Sequence, residues 1–207
     1  MGVDSVNHHE PLRTLHPAFT PSPATGALLA LTAARAVPHA EFVAAAPDAP
    51  GVVGVHVDLD GARRLGLTER ALAGGLVYVI AAPVSLRDRA VRAHFQSGRT
   101  AASHLRAGVA ALLSEDLELD GVPRSPGVSG RRGLTSDAEE ELTAWMRAHL
   151  RLSWWEAPEG VDAAEVAAAV TRELSPALHS TGVDRPWDRL TESRRAIVQR
   201  ARRSATL

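Results

Sequence analysis

Few residues in this chain have side chains suited to chemistry, and they lie far apart. His56 sits in an apolar run, His94 precedes Phe95, and His179 follows a Ser-Pro step. An imidazole can act as a general acid or base near neutral pH. His94 can equally serve as a cation at the negative end of a helix. Tyr78, the only tyrosine, lies mid-strand, where its hydroxyl faces a cleft or its ring is half-buried packing. Between positions 87 and 106 stand Arg87, Arg89, Arg92, Arg99 and Arg106 against the single acid Asp88, an excess of four positive charges. A second excess, of five, runs from Arg185 to the C-terminus. Both clusters suit phosphates, with Gln96 to Thr100 adding small polar donors, and both equally suit a solvated surface balanced by nearby acids. His8 and His9 lie in a proline-rich arm, and the remaining histidines lack metal-ligand spacing, so no metal cluster is expected.

The elements that must hold these groups follow from period and punctuation. Gly51 to Asp58 is β-branched and bounded by Pro50 and a turn, so it reads as a strand. Gly75 to Ala82 reads as its antiparallel partner, with a helical turn over Ala62 to Leu72 between them. Ser85 suits the N-cap of a helix through Phe95. Ala102 to Leu113 places Leu105, Val109, Leu112 and Leu113 on one helical face. Pro123 to Gly133 reads as a loop, and Ser136 with Glu139 as a capping box opening a helix to His149. Arg151 to Glu156 is expected as a third strand whose Trp154 and Trp155 pack in the core. Val161 to Leu174 is expected as a helix, and Trp187 to Arg203 as a final arginine-rich one. The fold expected is α+β, a small mixed or antiparallel three-stranded sheet flanked by helices. Residues 1–50 read as an N-terminal extension of loose arm plus short helix, 51–188 as the domain, and 189–207 as a C-terminal basic helix.

Composition narrows the possibilities. All 23 basic residues are arginine and cysteine is absent, so disulfides and thiolate metal sites are excluded. The N-terminus lacks a secretory pattern, and no apolar run approaches the roughly 20 residues of a membrane span. A cytoplasmic protein without a membrane partner is expected. A net charge of −1 gives no global attraction for nucleic acid, so any such binding must be local.

Several segments in order resemble the GIY-YIG nuclease family, most closely an actinobacterial branch of it. They are Gly51-Val52-Val53, Tyr78-Val79-Ile80, the arginine helix Leu86 to Phe95, and Ser103 to Leu113, followed by Leu142 to Leu152 and Leu174 to Leu178. The resemblance implies two tyrosines, an arginine and a glutamate around one divalent metal that cleaves a phosphodiester. Position by position, the first tyrosine falls on Val53, the second on Tyr78, the arginine on Arg89, the glutamate on Ala167 and an asparagine on His179. Glu165 lies about 200° around the helix from position 167 and cannot simply substitute.

The expectation is a GIY-YIG-like protein that has lost metal-dependent cleavage and binds DNA or RNA phosphates through its arginines, with no cofactor. Mg²⁺ enters only if nuclease activity is retained. One alternative is a metal-independent enzyme whose cleft, built from Tyr78, Arg89, His94, His179 and His56, takes a small anionic substrate. A third is a divergent active endonuclease.

Overall fold

The computed structural model describes residues 21–67, 75–119, 121–122, 133–184 and 186–204. Eight helices and a four-stranded sheet are found among them. The chain runs through α1 (Pro23–Ala30), β1 (Val37–Pro38), α2 (His39–Ala45), β2 (Gly51–Val57) and α3 (Leu59–Leu65). It continues with β3 (Leu76–Ala82) and α4 (Leu86–Ala90), which passes into a π-helical turn over Val91–Phe95, and then α5 (His104–Leu113). A two-residue ribbon, β4 (Gly121–Val122) with β5 (Gly133–Leu134), precedes α6 (Ser136–His149), β6 (Leu150–Glu156), α7 (Ala163–Leu174) and α8 (Asp188–Ser204).

The sheet order is β1-β6-β2-β3, antiparallel throughout. The sequence reading lacked β1, because a two-residue strand ending in proline carries no period to read. The strand order also puts β2 in the middle, where all seven of its residues are buried. This explains why it reads as a continuous β-branched run rather than an alternating one. Val53 lies opposite Ile80 on one side and Trp154 on the other, and Val55 opposite Tyr78 and Leu152. The register slips after Val55, so that His56 pairs with Leu76 and Val77 becomes the extra residue of a bulge.

Successive side chains of a strand point to opposite faces, and both faces here are covered. One carries Val53, Val55, Tyr78, Ile80, Leu150 and Leu152 against a core that includes Phe42, Phe95, Leu105, Leu142 and Leu190. The other carries Val52, Val79 and Trp155 against Ala27 and Leu31 of the N-terminal segment and Val166, Ala167 and Val170 of α7. Residues 23–50, ahead of the first long strand, thus contribute to both layers.

Ser85 accepts the Asp88 amide at 3.2 Å, the cap expected there, and Ser103, not read as a cap from the sequence, accepts the Arg106 amide at 3.1 Å at the start of α5. The expected capping box at Ser136 does not form. Thr135 caps α6 by accepting the Ala138 amide at 3.4 Å, while Glu139 turns inward to a buried guanidinium, a stronger partner than a solvent-facing amide. Most of the loop expected over 123–133, and the end of the helical turn expected to Leu72, lie outside the described residues. Among the described residues no helix is long and apolar enough to cross a membrane.

Candidate anion-binding groove

The candidate residues separate into a buried aromatic group, an open arginine groove and three individually placed side chains, His56, Arg87 and Arg106. β3 is an edge strand, and the segment after α7 lies along its outer side. The Leu178 amide donates to the Val77 carbonyl at 3.0 Å. His179 Nε2 lies 3.0 Å from the Val79 nitrogen and 3.2 Å from its oxygen, so either neutral tautomer finds a backbone partner. Its ring stacks on Tyr78 with centroids 4.1 Å apart and planes 16° from parallel, and His94 approaches Tyr78 at 6.2 Å. His94 follows Leu86 and Ala90 at four-residue steps on the buried side of this helix, while Arg89 and Arg92 are exposed.

Burial sets the protonation of both imidazoles. That of His94 is pushed down to about 4, chiefly by burial and further by the charges of Arg89, His104 and Arg106. His179 is also lowered by burial, opposed by its backbone hydrogen bonds with Val79 and Thr181. Both rings are neutral at pH 7. His94 Nδ1 bonds to Ser103 Oγ at 2.8 Å. His56 does not join this group. It projects from the opposite face of the sheet, where Nε2 bonds to Ser153 Oγ on the neighbouring strand at 2.8 Å.

Outside the β3 edge, α4, the loop that follows it and the first turn of α7 enclose an open groove of about 750 Å³. Its charged lining is Arg89, Arg92, Arg99 and Asp88, and its apolar lining includes Pro83, Val84 and Ala164. Arg89 and Arg92 are one turn apart on the same side of the helix, and Arg92 pairs loosely with Asp88 at 3.3 Å. Tyr78, His94 and His179 do not line it.

Two of the expected anion-binding arginines are committed elsewhere. Arg87 donates from Nε and Nη2 to the Ala46 carbonyl at 3.1 and 2.6 Å, closing the C-terminus of α2. Arg106 is 0% exposed and paired with Glu139 at 2.6 Å, which puts it beyond the reach of any external phosphate. The amides of Gly98 and Thr100, expected to face an anion, point instead to the Glu139 carboxylate, each at 3.1 Å. Sequence did contain a sign of this. Arg106 is spaced with Val109, Ala110 and Leu113 on the apolar face of α5, and Glu139 with Leu142 and Met146 on that of α6.

A model of the GIY-YIG catalytic domain matches residues 65–202. The chain belongs to the GIY-YIG catalytic domain family. No curated protein and no solved structure shows a significant match. The family match runs from the end of α3 through most of α8, so it takes in the groove and the sheet edge beside it.

The GIY-YIG reaction calls for a divalent metal, and the residues at this groove do not fit one. The position expected to hold the glutamate, Ala167, is 5% exposed and packed in the second apolar cluster. Glu165 is exposed and absent from the groove lining. The one carboxylate present, Asp88, stands among three arginines, a field that repels a hard cation needing several oxygen ligands. Among the described residues no three histidines or acids converge in a metal-holding group. Val53, at the first tyrosine position, is fully buried and presents no hydroxyl.

Proposed function

We propose that this GIY-YIG domain binds the phosphate backbone of DNA or RNA in the groove beside β3 and does not cleave it by the metal-dependent route. The observation that carries the reading is the groove itself, with three exposed arginines and one acid on an open surface. A guanidinium presents a fork of donors matched to phosphate oxygens, and an open groove admits a continuous backbone. The small-molecule alternative would need Tyr78 and the histidines to line an enclosed pocket. Tyr78 and His94 are 9% and 6% exposed, and neither lines the groove.

The test is fluorescence anisotropy with labelled duplex and single-stranded oligonucleotides across a salt series. Three phosphate contacts give a log–log salt slope of about −2.7 on duplex or about −2.1 on single strands. Raising salt from 50 to 200 mM therefore weakens duplex binding roughly 40-fold. Arg89→Ala lowers the magnitude of the slope by about 1. Plasmid incubated with Mg²⁺ or Mn²⁺ stays intact. Salt-independent binding, or no binding at all, refutes the phosphate reading, and metal-dependent nicking refutes the loss of cleavage.

A further inference from the structure

Arg99 reaches the groove from a loop whose backbone is held from beneath. Glu139 Oε2 accepts the Gly98 amide at 3.1 Å and the Thr100 hydroxyl at 2.9 Å, and Oε1 accepts the Thr100 amide at 3.1 Å. The residues on either side of Arg99 are therefore anchored to one carboxylate. The Arg99 carbonyl is anchored too, accepting the Ala102 and Ser103 amides at 2.9 Å each. Gly98 makes the bend with φ of +78°, and a side chain there would meet nothing, so the requirement for glycine is one of backbone conformation alone.

Arg106 extends the same network to the other wall. Its Nη2 donates to Glu139 Oε2 at 2.6 Å and to the Glu139 carbonyl at 3.1 Å, and its Nε donates to Thr100 Oγ1 at 3.2 Å. Nη1 reaches the His94 carbonyl at 3.4 Å, at the end of the helix that carries Arg89 and Arg92. One buried cation thus ties the loop bearing Arg99 to the helix bearing the other two groove arginines. It also neutralises Glu139, so the carboxylate does not cancel the positive field of the groove.

We infer that Glu139 and Arg106 are positioning residues that set Arg99 for phosphate capture, an inference that rests on the phosphate-binding reading above. A loop fixed in advance loses less freedom when the ligand binds. Releasing it is expected to weaken oligonucleotide binding roughly two- to tenfold, the cost of ordering one long side chain on association.

The test uses the full chain carrying Arg106→Met with Glu139→Met, a paired apolar replacement chosen because buried ion pairs are commonly replaceable without loss of the fold. Glu139→Gln serves as a milder second variant. Each is made with and without Arg99→Ala, then read by amide hydrogen exchange at Gly98 and Thr100 and by oligonucleotide anisotropy. The inference expects faster exchange at both amides, weaker binding where Arg99 is present, and no further weakening where Arg99 is already alanine. Unchanged exchange overturns it, as does an equal loss of binding in both backgrounds. A wild-type chain that binds no oligonucleotide at low salt refutes the phosphate reading itself, and the exchange measurement still decides separately whether Glu139 holds the loop.

Discussion

Removing one member of the Arg106–Glu139 pair should be among the most damaging single changes in the protein. The side chains are 0% and 5% exposed, so Glu139→Ala leaves a guanidinium buried without its counter-charge. Such losses cost about 3–5 kcal/mol. For a chain of this length each kcal/mol lowers Tm by roughly 2–4 °C, giving a fall of about 6–20 °C. Arg106→Met should cost about the same, for the converse reason. The double replacement Arg106→Met with Glu139→Met removes both charges, and what remains is chiefly the buried Thr100, whose amide loses its acceptor and whose hydroxyl loses both partners, about 1–3 kcal/mol for each group left unpaired. The two single changes should therefore sum to far more than the double, with a coupling of several kcal/mol. Urea unfolding followed by far-ultraviolet circular dichroism reads all four corners of this cycle. Additive losses, or single losses under about 1 kcal/mol, would refute the burial argument, since pairs open to water contribute no more than that.

Two further predictions concern stability. His94 has a lowered folded value of about 4 against its ordinary 6.5, so between those limits the unfolded chain binds more protons. Its contribution is intact above pH 6.5 and is lost as pH falls, reaching about 3 kcal/mol below pH 4. His94→Gln should flatten that part of a pH-stability profile, and an unchanged profile would show that His94 titrates normally. Gly66 ends α3 with φ of +72°, and a side chain there would collide with the Arg189 guanidinium. Gly66→Ala should cost about 1–2 kcal/mol from left-handed backbone strain, read by chemical denaturation, with a larger loss if Arg189 cannot move aside.

The long strands and most helices could be read from the sequence because their signals are local. Ser85, the apolar face of Leu105, Val109, Leu112 and Leu113, and the β-branched run over 51–57 each fix structure within a few residues. β1 could not be read, since Val37 and Pro38 become a strand only by lying against Leu152 and Arg151, more than a hundred positions away. The groove was half legible. Arg89, Arg92 and Arg99 stand close enough in sequence to be grouped by charge and line one groove, but charge counting also takes in Arg87 and Arg106, whose partners are set by packing between elements. Histidine spacing did not reveal that His56 and Tyr78 lie on opposite sides of the sheet. That follows from the pairing of Val55 with Tyr78, which puts the next residue, His56, on the other face, and this cross-strand register is not written locally.

The treatment of the two sheet margins bears on how copies of this protein can associate. Unprotected margins are templates for a neighbouring chain and a route to cross-β growth. Here the β3 margin is occupied by Leu178 and by the imidazole of His179, which acts as a substitute peptide group for Val79. The opposite margin is a two-residue strand whose proline has no amide to offer. Fibrillar addition is thereby discouraged at both margins, and any self-assembly is steered toward the helical surfaces. The ring of His179 thus fills the hydrogen-bonding positions of Val79 that an added strand would otherwise use.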